Sequence, residues 1–414
     1  MQRPAERFLH SILLVLGGTA AAQALPLFGS LVLARLYLPS EFGLFATWLG
    51  LVSLIAVAIT GRYEMALAIE RDGAPRQTAV MATLAIVTAL GTALLFAAIL
   101  IVLSGSGAGV PPAFWLVSPA AAVVIATLQT WQCWLAADGR FRDLSAVRIS
   151  QAAAITGAQI LAGLLQPTAL SLALAHTAGA MAGIAVAWRR LPLQPGATVS
   201  GEMLTQGMLE FCKRQRRFPL LSLPADSVNT AAAQLPLLLV ASRFGADIAG
   251  YLALSLRTLG APIALLGTSV LDVFRRRSAQ SYRDLGNCRD DYSRTFRMLA
   301  IGASIVAVPV VLAAEPLFAL AFGERWRISG TIALWLLPMF ALRFVASPLS
   351  YVFYVSGKQH FDLAWQFALL AMTLATLSLP VEYSPALKAY SAGYSFLYVV
   401  YLGLTWRLSK GAGT

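Results

Sequence analysis

The chain has 414 residues, 58% of them hydrophobic and only 12% charged, with a net charge of +12. A soluble chain carries about a quarter charged residues, so this composition excludes a soluble enzyme and points to a protein that crosses a membrane many times. In that setting the positive charge marks the cytoplasmic side of the bilayer, and no nucleic-acid partner is needed to explain it.

Short polar connectors divide the apolar residues into about twelve stretches, each near the ~20 residues that span a bilayer. The first six are Ser11–Tyr37, Phe42–Thr60, Thr78–Leu103, Pro112–Ala136, Ser145–Leu165 and Thr168–Trp188. The run from Ser11 is too long for the core of a cleaved signal peptide, so it reads as the first transmembrane helix. A basic linker over 191–217 follows, ending in Lys213, Arg214, Arg216 and Arg217. The second six are Phe218–Ser242, Ala249–Phe274, Met298–Phe322, Ser329–Tyr354, Leu363–Leu379 and Ala386–Trp406. The expected fold is therefore an all-α membrane protein. It has an N-terminal six-helix bundle over 1–190, the linker, and a C-terminal six-helix bundle over 218–414.

Positive charge orients the chain. With both termini cytoplasmic, that side holds Arg3, Arg7, Arg62, Arg71, Arg76, Arg140, Arg142, Arg148, the linker cluster, Arg275–Arg277, Lys358, Arg407 and Lys410. The far side keeps only Arg35, Arg243, Arg325, Arg327 and Lys388.

The two halves echo one another. Ala20-Ala21-Ala22-Gln23-Ala24-Leu25-Pro26 in the first helix matches Ala231-Ala232-Ala233-Gln234-Leu235-Pro236 in the seventh. After each come an arginine (Arg35, Arg243), an aromatic (Tyr37, Phe244), an acid (Glu41, Asp247) and a glycine (Gly43, Gly250). A second echo pairs Gly139-Arg140-Phe141-Arg142-Asp143-Leu144 with Gly357-Lys358-Gln359-His360-Phe361-Asp362-Leu363. Six spans per half make a parallel repeat, which places substrate near the midplane in a central cleft.

Polar residues inside spans are the candidate functional groups, because lipid cannot satisfy them. Pro26 and Pro236 are matched candidate hinges, or ordinary membrane prolines. Asp226, Thr230 and Gln234 are spaced by four and share a helix face, with Asn229 beside them; Thr19 and Gln23 repeat the spacing in the first helix. The stripe lines a cavity or bonds between packed helices. Arg257 and Arg343 lie deep in their spans, where an arginine costs at least ~2.5 kcal/mol. They either pair with Asp226 or helix-end carbonyls, or hold an anionic substrate. Arg35, Arg62 and Arg243 sit nearer helix ends, where snorkelling also explains them. Glu64 reads as the ion-pair partner of Arg62. Asp226 and His176 are candidates for ion coupling, with hydrogen-bonded packing the plainer role of His176. Arg275–Arg277 caps a helix on the cytoplasmic side, near anionic lipid headgroups. Cys133, Cys212 and Cys288 are scattered, with no metal or disulfide spacing. No catalytic triad, nucleotide loop or dinucleotide fingerprint occurs, and no cofactor is expected.

Four segments carry a resemblance. They are Ala34-Arg35-Leu36-Tyr37-Leu38-Pro39-Ser40-Glu41-Phe42-Gly43-Leu44-Phe45, Arg62-Tyr63-Glu64-Met65-Ala66-Leu67-Ala68-Ile69, Phe218-Pro219-Leu220-Leu221-Ser222-Leu223-Pro224 through Pro236, and Gly250-Tyr251-Leu252-Ala253-Leu254. They resemble the Wzx-type oligosaccharide flippases of the multidrug/oligosaccharidyl-lipid/polysaccharide exporter superfamily. The chain departs from many relatives in stopping near twelve spans rather than fourteen, and in the basic end of its eighth helix.

The resemblance implies a transporter, not an enzyme, that works by alternating access in the bacterial inner membrane. It would carry an undecaprenyl-diphosphate-linked oligosaccharide to the outer leaflet for O-antigen, lipopolysaccharide or exopolysaccharide assembly, among membrane lipids and alongside polysaccharide polymerase and chain-length proteins. Arg257 and Arg343 would hold diphosphate or acidic sugars, and Gln23, Asn229, Thr230 and Gln234 would bond sugar hydroxyls. A Na⁺- or H⁺-coupled drug or metabolite exporter of the same superfamily is the alternative, and would want an acidic cavity. A membrane polymerase or ligase would want a large outer loop, whereas every expected outer loop is short. A scaffold within an assembly complex is a further possible role.

Overall fold

The computed structural model describes residues 4–105, 111–190 and 201–411. The helices are α1 Pro4–Leu36, α2 Pro39–Thr60, α3 Tyr63–Ala66, α4 Ala74–Leu103, α5 Pro112–Ala137, α6 Phe141–Leu165 and α7 Ala169–Arg190. They continue as α8 Gly201–Arg214, α9 Leu223–Leu285, α10 Arg289–Phe322, α11 Arg327–Leu349, α12 Val352–Val355, α13 Gln359–Leu377 and α14 Tyr383–Ser409. Helix α9 is interrupted at Gly245, whose φ of 86° and ψ of 173° only glycine adopts cheaply. With α9 divided there, twelve helical stretches among the described residues have 19 residues or more, which at 1.5 Å per residue reaches across ~28 Å. This is the expected all-α membrane protein with about twelve spans. Among the described residues, seven helices are long and apolar enough to cross a membrane by length and composition alone.

The chain forms two compact units. The first comprises 1–37 with 44–234, and the second 38–43 with 235–414. In the first, α1 packs on α6, α6 on α7, and α4 and α7 on α5. Its interior combines alanines (Ala66, Ala79, Ala82, Ala180, Ala187) with Trp131, Trp134 and Phe211. Small residues let helix backbones approach, and that close packing holds helices together where lipid removes the hydrophobic drive between them. Tyr37, fully buried at the end of α1, donates its hydroxyl to the Gln159 carbonyl on α6 at 2.9 Å.

The linker contains structure that its polar composition did not suggest. Helix α8 docks against α4, burying Phe211 beside the Tyr63 ring with centroids 5.6 Å apart. Residues 191–200 lie outside the described residues.

In the second unit, α10, α11 and α14 form the centre, with α13 against α14. Trp326, fully buried, meets the rings of Phe42 and Tyr251 edge-on at 5.5 and 6.0 Å. Helix α9 runs on past its expected end at Phe274 to Leu285, and α10 begins at Arg289 rather than Met298. No helix breaker intervenes before Gly286, so the basic segment continues as helix. The last turn of α14 is tied here, the Cys288 amide donating to the Ser409 carbonyl at 2.8 Å.

The glycines of the sequence echo meet in space. A Cβ on Gly43 would overlap the Ala246 carbonyl and the Gly250 amide, and one on Gly250 would overlap the Pro39 carbonyl. Pro39 and Gly43 are offset from Ala246 and Gly250 by the same number of residues. The contact is therefore reciprocal, as two copies of one repeat unit make it.

Candidate functional site

Polar side chains in the first unit gather where α2 ends. Gly61 and Arg62 both take left-handed conformations, Arg62 with φ 59°, which turns the chain into α3. A non-glycine residue there carries strain of order 1 kcal/mol and stays only where its surroundings fix it. Here the Arg62 amide donates to Thr60 Oγ1 at 3.2 Å, its Nε donates to Asp226 Oδ2 at 2.7 Å, and its Nη1 donates to Glu64 Oε1 at 2.9 Å. The expected Arg62–Glu64 pair is present, and Asp226 joins it. Glu64 is fully buried and its Oε2 has no hydrogen-bond partner. Burial pushes its carboxyl above the usual carboxylate range, against the pull of the Arg62 guanidinium.

The rest of the expected stripe is divided. Gln234 lies over Gly50 of α2, its Oε1 3.1 Å from where a Cβ would stand. Thr230 is half-buried, and Asn229 and Gln23 are exposed. The side chain of Thr19 lies outside the described residues. Helices α1 and α9 continue through Pro26 and Pro236. The non-helical breaks fall instead at Gly245 in α9 and at Ala313 in α10, between Pro309 and Pro316.

Several expected cations and the histidine are engaged by the protein itself. Arg35 is exposed in the last turn of α1 and Arg257 is half-buried in α9, and neither is free. Arg243 donates to the Leu377 and Leu379 carbonyls at the end of α13 and sits over the Phe244 ring. That is capping of a helix C-terminus. His176 is half-buried beside Phe45, with ring centroids 5.9 Å apart.

Arg343 differs. It sits on α11, inside the candidate span 324–355, and is exposed. Among the described residues it makes no ion pair. Its helix packs on α14, where Tyr390, Tyr394 and Tyr398 recur every four residues. Sequence reasoning singled out the arginine and missed the tyrosines, although their spacing of four residues was legible.

Charged connectors assigned to the cytoplasmic side come together at one end of the first unit. Arg76 pairs with Asp138 at 3.3 Å, and Arg214 and Gln215 hold Glu70 at 2.8 and 2.7 Å. Among the described residues no three His, Cys, Asp or Glu side chains gather to hold a metal ion.

A family profile described as polysaccharide biosynthesis protein matches residues 32–330. No curated protein matches the chain. Among solved structures, an inward-facing multidrug resistance MATE family transporter of the MOP superfamily superposes with a TM-score of 0.70 at 13% identity, covering 94% of each chain. The lipid II flippase MurJ in an inward closed conformation also gives 0.70 at 13% identity, over 96% of this chain and 90% of its own. A MOP superfamily transporter from Pyrococcus furiosus, described as having a binding pocket of reverse polarity, gives 0.58 at 12% identity, over 96% and 95%. At these identities the likeness is one of fold.

Proposed function

The chain belongs to the polysaccharide biosynthesis protein family, and on that premise we propose that it flips a polyprenyl-diphosphate-linked oligosaccharide from the cytoplasmic to the outer leaflet of the bacterial inner membrane, for cell-surface or exopolysaccharide assembly. The saccharide and the diphosphate are too polar to cross hydrocarbon unaided, while the polyprenyl tail remains in lipid. A membrane potential negative inside favours the outward movement of such an anion by about 2.3 kcal/mol per charge per 100 mV.

The observation that carries this reading is Arg343. An arginine within a span costs at least ~2.5 kcal/mol, and this one is exposed and, among the described residues, has no acid to offset that cost. A guanidinium in that position suits an anionic cargo. The exporter alternative needs an acid for a cationic cargo or a coupling ion. Asp226, its best candidate, is engaged by Arg62 at 2.7 Å, which supports the anion reading. Both termini and the basic connectors are placed in the cytoplasm by the same proposal.

The test is transport by purified protein in liposomes, with a fluorescent short-chain polyprenyl-diphosphate oligosaccharide and, in parallel, a cationic dye. Exposure of the oligosaccharide at the far leaflet, lost in Arg343→Ala, is expected. Dye movement without oligosaccharide movement, abolished by Asp226→Asn, would put the exporter in its place.

A further inference from the structure

Helix α14 carries Tyr390, Tyr394, Tyr398 and Tyr401 on one stripe. Their rings form a ladder, with centroids 5.2 Å apart between Tyr390 and Tyr394 and 5.4 Å between Tyr394 and Tyr398. Trp365 of α13 closes the far end, 5.1 Å from Tyr398 and 4.4 Å from Tyr401. The stripe lies opposite the exposed apolar face of the helix at Phe396, Val399 and Val400, so it turns away from that face. Tyr390 and Tyr398 are only 3% and 5% exposed.

The hydroxyls are the notable part. Tyr401 donates to Asp362 Oδ1 at 2.7 Å. Among the described residues, Tyr390, Tyr394 and Tyr398 have no such partner. The Tyr390 and Tyr398 rings are packed and Tyr394 is half-buried, but none of the three hydroxyl oxygens is fully enclosed, so each is open to a guest acceptor. Helix α14 packs on α11, the helix that carries Arg343, and among the described residues Arg343 has no acid partner. One cation and three O–H donors without an acceptor are chemically complementary to an oxyanion with several lone pairs.

We propose that Arg343 and the hydroxyls of Tyr390, Tyr394 and Tyr398 form a binding subsite for the diphosphate of the lipid-linked substrate. This rests on the flippase reading and specifies which part of the cargo this unit holds. The guanidinium supplies charge and the tyrosines supply direction. The ring ladder keeps the three donors in fixed register, so little ordering is needed when the anion arrives.

The experiment measures binding of farnesyl diphosphate to the purified full-length protein in detergent, by titration calorimetry. Tyr390→Phe, Tyr394→Phe and Tyr398→Phe, singly and together, remove the hydroxyls and keep the rings. Each single change is expected to weaken binding about tenfold, as loss of a hydrogen bond to a charged group does. Arg343→Lys is expected to retain binding better than Arg343→Gln. Bound farnesyl diphosphate should be displaced by inorganic diphosphate and not by glycerol 3-phosphate, the headgroup unit of anionic phospholipids. Equal displacement by both would overturn the diphosphate assignment. A folded triple variant that binds within twofold of wild type would overturn the tyrosine site, even if flipping is observed. Tyrosine-dependent binding with no saccharide movement in liposomes would sink the flippase reading and leave the diphosphate site standing.

Discussion

Arg62 and Asp226, 164 residues apart, meet at 2.7 Å and join the turn after α2 to the first residues of α9. Arg62 holds Glu64 with its other face at 2.9 Å, so one guanidinium ties three segments. Asp226 is 37% exposed in its side chain, whereas Glu64 is fully buried, and the two acids therefore differ in what their loss does. Asp226→Asn leaves the buried pair intact and should cost about 1 kcal/mol once solvent screening is allowed for. A melting-temperature decrease of a few degrees in detergent is the expected result, and a decrease of more than ten degrees would show that the pair holds the unit together.

Glu64 makes stability depend on pH. Burial raises its carboxyl above the ordinary value of 4.5, so the folded protein binds this proton more tightly than the unfolded chain does. Its contribution is then largest below pH 4.5 and is lost as pH rises through the raised folded value. Glu64→Gln, which keeps the shape and drops the charge, should flatten this dependence. Melting curves of wild type and variant across pH 4 to 8 give the comparison. An unchanged slope would mean that Glu64 is not the group that titrates.

The reciprocal contact of Gly43 and Gly250 has no room for a side chain. Gly43→Ala and Gly250→Ala should each destabilise by about 1–3 kcal/mol through overpacking, and valine by more. Gly403, which has nothing within 4 Å of a Cβ position, is the control, and Gly403→Ala should be neutral or slightly stabilising, because glycine weakens a helix. The fraction of monodisperse protein on gel filtration, with the melting temperature, reads all three.

Tyr37→Phe removes the donor to the Gln159 carbonyl and leaves the ring in place. A cost of about 1 kcal/mol is expected, with transport unchanged. Loss of transport at full stability would assign Tyr37 a role beyond holding α1 to α6.

Topology is checked by labelling spheroplasts with a membrane-impermeant maleimide. Cys288 is 2% exposed, and burial pushes its thiol up to about 12, so it should stay silent near neutral pH. With Cys133 and Cys212 replaced by alanine, Lys388→Cys should label at once. Lys358→Cys should label only after the membrane is opened. The reverse pattern would invert the proposed orientation.

Composition and spacing were enough to read the membrane, the twelve long helices and the repeat, because a bilayer demands long apolar helices and allows few alternatives. The Arg62–Glu64 pair was legible for a similar reason, since its members are two residues apart. Long-range partners were not. Asp226 was equally able to meet Arg257 or Arg343, and only the packing of α2 beside α9 gave it to Arg62. Arg243 looked like a snorkelling residue until the fold set the carbonyls of α13 in front of it. The tyrosines of α14 were visible as a spacing of four, but aromatic residues at that spacing usually pack a core. What set them apart was a set of hydroxyls left without acceptors and an arginine brought to them from α11. Both arise from the tertiary structure, because the sequence records which groups can hydrogen-bond and only the packed helices decide which of them find a partner.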